Sequence, residues 1–351
     1  NPQHIYSQPG QYVVTLIGNS GNCSTTYTVV VSVTPSTSTY NPNCCSSLEF
    51  PFYTHNGSVH LQNATDVSNF LSSFASTSSF SSLATIKDTL FIENKLSVNL
   101  TNKQLGFGPW GKIIISTGAE LILDNCLLLP VGSTHDQPKP CPVMWQGIEI
   151  WGMSGVSQII SDPQTGRSYQ GKLITRNGTI IRDAHNAIVV GQWTGQVFNT
   201  IGSGGILDAS SSDIINCAYG IRFISYAPLN ISKIIGCDFL GGGPGDPGYL
   251  TGNSYTYPNP YNKNYAHANN LQRTYAYIQA IGVRNIRIES NTFNNAEYGI
   301  IGINSSLRVG GAVLGQENVF TNCTNGETHG NFFSSPFFVN RIVRNTYTQT
   351  L

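Results

Sequence analysis

Apolar and polar residues alternate in two runs near the start of the chain. Both runs lie between Gly10 and Ser32, in GQYVVTLIGNSGNCSTTYTVVVS, and they flank turn-forming residues from Asn19 to Asn22. A period of two predicts β-strands, and two such strands on either side of a short polar turn predict a hairpin. Because two strands alone are barely stable, we expect the apolar face of this hairpin to need a partner.

The pattern changes between residues 35 and 85. The segment TPSTSTYNPNCCSS is typical of a linker, and DVSNFLSSFASTSSFSSLATI then places apolar residues at partly helical intervals. We predict a helix capped by Asp66 or Ser68, and we interpret residues 35–85 as a linker followed by an N-terminal cap. Such a cap is needed because the open end of a solenoid is an unpaired sheet edge. The apolar residues with this spacing are Phe70, Leu71, Phe74, Phe80 and Leu83.

A loose repeat occupies the rest of the chain, from residue 86 to residue 351. Each copy has a short apolar strand, a polar turn that often contains Asn or Asp, a second apolar strand and a Gly, as in GTIIRDAHNAIVVG and SDIINCAYGIRFI. Repeats of 20 to 50 residues are typical of stacked coils. The sequence therefore predicts an all-β fold, a right-handed parallel β-helix with at least six coils between residues 86 and 340. We expect Asn to form side-chain ladders at the corners, and we expect four isoleucines to point inward: Ile122, Ile180, Ile214 and Ile234.

Charge excludes some classes of partner. The chain has 18 basic and 18 acidic residues, and charged residues make up only 10% of it. A neutral chain without a basic stripe is a poor ligand for nucleic acid and for an anionic membrane. Since no apolar run approaches the length of a membrane span, we expect no membrane insertion. The composition favours an extracellular or outer-surface location, and we expect the sequence to be a mature fragment of a longer protein.

Eight cysteines raise the question of disulfides and metals. They form no CxxC pair and no zinc-finger spacing, so we predict no metal site, and no cluster of ligands supports calcium. We predict one disulfide, between Cys126 and Cys141, because these residues bracket a proline-containing excursion. We interpret Cys217 and Cys237 as small buried apolar residues.

Two resemblances follow from particular phrases. HIYSQPGQYVVTL followed by TVVVSV resembles the second half of a PKD domain, an immunoglobulin-like β-sandwich, over about the first 34 residues. CPVMWQGIEIWG and IIRDAHNAI resemble the β-helical regions of large secreted Bacteroidota proteins, which leave the cell by the type IX route. The resemblance implies a partial PKD-like unit in residues 1–34 and a solenoid behind it. The missing sandwich strands would come from upstream sequence, from the solenoid or from a neighbouring molecule, and the last of these would produce self-assembly into filaments.

Catalytic chemistry has weak support in the sequence. A β-helical glycoside hydrolase needs paired carboxylates, whereas the acids of the repeat region are scattered and form no DD pair. The nearest mixed group is Arg182, Asp183 and His185, which we interpret as an outward turn rather than a catalytic site.

A tyrosine-rich insertion is the most distinctive segment outside the repeat. It spans residues 241–276, and it either binds a ligand or folds back over apolar side chains. Tyrosine has a flat apolar face with a polar tip, which suits stacking on sugar rings or burial in a protein interface. The candidate binding residues are Tyr249, Tyr255, Tyr257, Tyr261, Tyr265 and His267.

Two functions remain open at this stage. The first is a non-catalytic surface protein, structural or adhesive, that binds polysaccharide or protein partners through loops on a β-helix. The second is a carbohydrate-active enzyme, a polysaccharide lyase or glycoside hydrolase, which is supported mainly by analogy of fold. Paired acids on one face of a parallel sheet would favour the second.

Overall fold

The computed structural model describes residues 10–20, 23–33, 53–74, 83–108, 110–131, 144–193, 198–241, 274–311, 314–321, 323, 325–330, 341–342 and 345–348. The chain divides into two compact units, Asn1–Glu49 and Phe50–Leu351.

The first unit contains the predicted hairpin. Strands β1 (Gly10–Ser20) and β2 (Cys23–Val33) pair antiparallel, from Gly10 opposite Val33 to Ser20 opposite Cys23. Residues directly opposite each other share a face of the ladder. Three alternate register pairs of this ladder consist of large apolar residues: Tyr12 with Val31, Val14 with Val29, and Leu16 with Tyr27.

The second unit is built from three parallel sheets. Sheet 1 contains β4 (Leu83–Ile86), β7 (Gln104–Phe107), β10 (Leu127–Pro130), β13 (Thr179–Arg182), β18 (Ser212–Ile215), β21 (Asp238–Leu240), β24 (Thr292–Asn294), β27 (Val319–Thr321) and β30 (Thr346–Thr348). Sheet 2 contains β3 (Val59–Leu61), β5 (Thr89–Ile92), β8 (Lys112–Ile115), β11 (Trp145–Ile150), β14 (Ala184–Val190), β19 (Tyr219–Phe223), β22 (Thr274–Ile281), β25 (Ala296–Ile303) and β28 (Asn325–Gly330). Sheet 3 contains β6 (Ser97–Thr101), β9 (Glu120–Asp124), β12 (Lys172–Arg176), β17 (Ile206–Ser210), β20 (Lys233–Ile235), β23 (Arg284–Glu289), β26 (Ser306–Val309) and β29 (Arg341–Ile342).

The chain visits sheets 1, 2 and 3 in that order, once per coil. Among the described residues this order repeats eight times, from β4–β5–β6 to β27–β28–β29. Every strand in these sheets pairs with its counterpart one coil away, in parallel, which confirms the predicted parallel β-helix and its six or more coils. The sheets begin with β3 and β4, so parallel pairing already starts upstream of residue 86. A short antiparallel pair, β15 (Gln192–Trp193) with β16 (Phe198–Asn199), lies outside the three sheets.

A helix of nine residues, about two and a half turns, lies near the start of the second unit. Helix α1 (Ala64–Ser72) buries Phe70 and packs against β3, as part of the predicted cap segment. The predicted caps Asp66 and Ser68 are wrong, because Asn63 caps the helix instead. Its Oδ1 accepts hydrogen bonds from the backbone N–H groups of Thr65 and Asp66, at 2.9 and 3.0 Å. Of the described residues, no helix is long and apolar enough to cross a bilayer.

Inward side chains stack in columns along the axis. One column of sheet 2 is almost uniformly isoleucine, and in sheet 1 the rings of Phe239, Phe293 and Phe320 stack at centroid distances of 4.7 Å. The column in sheet 2 is Leu90, Ile113, Ile148, Ile188, Ile221, Ile278 and Ile300. Each column buries the apolar face of one sheet, which is the main stabilising term for a solenoid.

The isoleucine predictions are half correct. Ile214 and Ile234 are buried as predicted, but Ile122 and Ile180 are only partly buried. In β9 the inward positions belong to Leu121 and Leu123 on either side of Ile122. Three consecutive apolar residues fit both faces of a strand, so the sequence pattern does not determine which one points inward.

Asparagine ladders form at the corners, as predicted. The Asn291 side chain donates from Nδ2 to Oδ1 of Asn318 at 2.9 Å, and Asn318 donates to Oδ1 of Asn345 at 3.2 Å. Asn125 and Asn177 have φ of +52° and +55°, the left-handed region that Asn adopts more readily than most residues. The ladder satisfies buried amides while the chain turns from sheet 3 to sheet 1.

Four cysteines of the described residues are buried: Cys126, Cys217, Cys237 and Cys323. This confirms the interpretation of Cys217 and Cys237 as small buried residues, and burial raises the pKa of Cys237 to about 12. The Cys126 thiol donates to the Leu100 carbonyl oxygen at 3.1 Å. Cys141 lies outside the described residues, so the Cys126–Cys141 disulfide stays a prediction.

The phenylalanine stack provides a test of the fold. We expect Phe293→Ala to lower the free energy of unfolding by about 3–5 kcal/mol, because it opens a cavity between two stacked rings. Ile180→Ala is the matched control on the same sheet, and we expect it to cost about 1 kcal/mol or less, since Ile180 is partly exposed. Urea unfolding monitored by circular dichroism gives both values. Equal losses in the two variants would contradict the assigned faces of sheet 1.

Candidate functional site

The outer face of sheet 2 carries the polar side chains that interrupt its apolar strands. Glu149, Val189, Arg222 and Gln279 occupy one register position on consecutive strands β11, β14, β19 and β22. Their immediate neighbours, such as Ile148, belong to the inward core column. Because side chains alternate along a strand, this row points away from the core.

A row of aromatic rings runs beside these polar groups. His185, Tyr219, Tyr275 and Tyr298 come from four consecutive strands of sheet 2 and are half-buried. The ring centroids of Tyr219 and Tyr275 lie 5.3 Å apart, and so do those of Tyr275 and Tyr298. His185 is 6.3 Å from Tyr219. Over these four coils, one aromatic ring per coil follows the solenoid axis.

Arg222 connects the aromatic row to the rest of the face. Its Nε donates to Gln279 Oε1 at 2.8 Å, and its Nη1 donates to Asn186 Oδ1 at 3.0 Å. The guanidinium also lies 4.1 Å from the ring centroid of Tyr219 and 5.0 Å from that of Trp193. Two hydrogen bonds and two cation–π contacts hold this buried cation in one position.

A cavity of about 220 Å³ opens on the same face, toward the N-terminal coils. Two indoles contribute to its lining, Trp110 and Trp193, together with the amides of Gln146 and Asn186. The wall of the cavity includes a β-bulge at Gly147, which has a φ of +98°. An added Cβ there would lie 1.5 Å from the Asn186 carbonyl oxygen, so the bulge requires glycine.

Three charged groups also line the cavity: Asp88, Lys112 and Glu149. Lys112 Nζ donates to Glu149 Oε1 at 2.8 Å, and Glu149 Oε2 accepts from the Trp151 indole N–H at 2.8 Å. The backbone N–H of Trp193 donates to the same oxygen at 3.2 Å. Glu149 is 5% exposed, so its charge is balanced within the wall of the cavity.

The binding residues predicted from the sequence lie outside the part of the chain that the structure describes. Tyr249, Tyr255, Tyr257, Tyr261, Tyr265 and His267 are not among the described residues, and their role stays a prediction. Tyr275, near the end of the same insertion, lies on β22 and joins the aromatic row. The insertion leaves sheet 1 after β21 and enters sheet 2 at β22.

The interpretation of Arg182, Asp183 and His185 needs correction. Asp183 is completely buried at a corner with φ of +56°, and Arg182 Nε pairs with its Oδ2 at 2.9 Å. Asn216 Nδ2 donates to Asp183 Oδ1 at 2.6 Å. The segment is therefore a buried ion-paired corner and not an outward turn. The left-handed backbone at Asp183 interrupts the alternation of side chains along the strand.

One acid pair corrects the prediction that the acids are scattered. Asp213 on β18 and Asp238 on β21 are register partners on adjacent strands of sheet 1, although 25 positions separate them in the sequence. Burial, and then the negative charge of Asp238, raises the pKa of the Asp213 carboxyl. Adjacent strands are about 4.8 Å apart, so the two side chains share one patch of the outer face.

No group of three or more His, Cys, Asp or Glu side chains within the described part of the chain has the arrangement to hold a metal ion.

A signal for the outer-face residues was present in the sequence. The phrases QGIEIW, NAIVVG, YGIRFI and YGIIGI each place an Ile one position before the outward residue of sheet 2. Aligning them would have placed Glu149 and Arg222 in one row. A charged residue inside an apolar strand marks the solvent face. The outward row of sheet 2 is therefore found by aligning the coils, and no single motif contains it.

No protein-family model matches the chain, and no curated protein matches it. The geometry of the second unit therefore carries the functional argument.

The acid pair predicts a pH-dependent stability. The pKa of Asp213 is raised in the folded state, so the protonated side chain stabilises the fold below its unfolded pKa of about 3.9. This stabilisation is lost as the pH rises through the folded pKa. We therefore expect Asp213→Asn to increase the free energy of unfolding at pH 7 and to have no such effect below about pH 3.9. Urea unfolding across this range measures the difference. In an Asp238→Asn background, Asp213→Asn should increase the free energy of unfolding by a smaller amount. An equal increase in both backgrounds would exclude coupling between the two acids.

Proposed function

We propose that the second unit is a glycan-binding solenoid that holds an extended sugar chain along the outer face of sheet 2. The observation that carries this proposal is the aromatic row of His185, Tyr219, Tyr275 and Tyr298, with one ring per coil. Tyrosine rings offer flat apolar faces beside a hydroxyl, which match the alternating apolar and polar surface of a pyranose. A repeating polymer is the ligand that a repeating surface fits.

The polar row supports the same ligand. Gln279, Asn186 and Arg222 lie beside the rings and are fixed by hydrogen bonds to one another. Ligand sites typically combine flat apolar surface with a few positioned polar groups, which set orientation and specificity. Because Arg222 is already held in place, little side-chain entropy would be lost on binding.

The proposed setting is extracellular. A neutral chain with few charges and abundant Gly, Asn, Ser and Thr suits a secreted or surface-exposed protein that displays a binding face. The PKD-like first unit and the resemblance to secreted Bacteroidota proteins support an adhesive role for the chain. In that role the solenoid contacts polysaccharide, and the hairpin contacts a neighbouring domain or a second copy.

Tyrosine substitutions test glycan binding. We expect Tyr275→Ala and Tyr298→Ala each to weaken binding to soluble oligosaccharides by about threefold to tenfold, because each removes one stacking platform. Isothermal titration calorimetry against a panel of neutral and amino-sugar oligosaccharides gives the affinities. Tyr169→Ala is the matched control, since Tyr169 lies outside the three sheets. If Tyr275→Ala and Tyr298→Ala both fold and both keep the affinity of the parent chain, the proposal is contradicted.

A second function is favoured by one specific observation. Asp213 and Asp238 combine a carboxyl of raised pKa with an adjacent carboxylate, which is the pairing that glycoside hydrolysis uses. In this alternative Asp238 attacks the anomeric carbon while the glycosidic bond breaks and Asp213 protonates the leaving oxygen. Water, activated by the Asp213 carboxylate, then hydrolyses the glycosyl–Asp238 ester and restores both acids. Adjacent parallel strands suit a retaining enzyme, whose carboxyl groups lie about 5–5.5 Å apart.

Release of reducing ends from a polysaccharide panel tests this alternative. We expect Asp238→Asn to lower the rate by at least about a hundredfold if the pair is catalytic. Asp208→Asn is the matched control on sheet 3, where Asp208 pairs with Lys233 at 3.2 Å. Absence of any cleavage by the parent chain, or equal cleavage by Asp238→Asn, would exclude hydrolysis at this pair.

A further inference from the structure

The cavity on sheet 2 contains one carboxylate that its surroundings do not balance. Within the part of the chain that the structure describes, the Asp88 side chain forms no hydrogen bond and no ion pair. Lys112 is engaged with Glu149 at 2.8 Å. Lys87 precedes Asp88 in the chain but forms no ion pair with it among the described residues. The cavity thus presents a negative charge to whatever enters it.

An accessible indole lies in the same cavity. Trp110 is 44% exposed, and no ring or cation of the described residues packs against it. The second indole, Trp193, is already covered on its π-system by Arg222, at 5.0 Å. Trp110 is therefore the aromatic face that remains open to a ligand beside Asp88.

A carboxylate beside an open indole is a recognition site for a cationic nitrogen. A carboxylate accepts charge-assisted hydrogen bonds from an ammonium group, and the indole face attracts the same cation. A neutral hydroxyl in that place would leave the Asp88 charge partly desolvated without a counter-ion, which is unfavourable. The Gln146 amide in the cavity wall suits a hydroxyl group of the attached ring.

We propose that this cavity binds the protonated amino group of a hexosamine residue, so that the glycan recognised by sheet 2 is an amino-sugar polymer with free amines. This proposal rests on the proposed glycan-binding function and specifies its ligand. The cavity and the aromatic row lie on one face, the cavity on strands β5 to β14 and the row on β14 to β25. One polymer chain along the axis reaches both.

Three matched oligosaccharides test the inference on the full chain. The probes are the β-1,4-linked tetramers of glucosamine, N-acetylglucosamine and glucose, titrated calorimetrically at about pH 6, where ordinary amines are protonated. We expect the glucosamine tetramer to bind about tenfold more tightly than the other two. Asp88→Asn should remove this preference, so that the three tetramers bind with similar affinity.

Asp208→Asn is the control for general charge attraction, because it removes one carboxylate from sheet 3. It should keep the tenfold preference. Equal affinity for the three tetramers, or a preference that persists in Asp88→Asn, would overturn the inference while leaving glycan binding intact. Failure of the parent chain to bind any oligosaccharide would overturn the proposed function as well.

Discussion

The hydrogen bonds between the backbones of successive coils are the constraint on which the structure of the second unit depends. They fix each strand directly above its counterpart, so that every inward residue has the same type of neighbour on both sides. The isoleucine column and the phenylalanine stack are consequences of this register. A shift of one residue would move a whole apolar row to the solvent face, so the columns and the register specify each other.

The same register brings together polar groups that are far apart in the sequence. Asn186, Arg222 and Gln279 form one hydrogen-bonded network because they occupy neighbouring positions on consecutive coils. Asp213 and Asp238 meet in the same way on sheet 1. A parallel β-helix therefore builds a site from single residues of many coils. Short motifs in the sequence cannot show such a site, because no one coil contains it.

The limits of sequence reasoning follow from this geometry. Local pattern was sufficient for the hairpin, the repeat and the asparagine corners, since alternation and turn chemistry act over a few residues. It failed where three apolar residues occur in a row, as at Ile122, because either face of the strand accepts them. It also failed at Asp183, where a left-handed corner interrupts alternation. The outer face of sheet 2 was missed because loops of different length separate its coils and conceal their alignment.

The order of groups along sheet 2 gives its outer face a direction. From β5 toward β25 a ligand would meet first the carboxylate and open indole of the cavity, then the fixed Arg222 cation, then the tyrosine rings. These chemistries are not interchangeable, because a cation suits the first region and an anion or hydroxyl the second. An amino-sugar chain therefore gains most where an amino group enters the cavity and hydroxyl groups lie beside Arg222. Such a surface selects a pattern of charge along a chain, in addition to a single sugar.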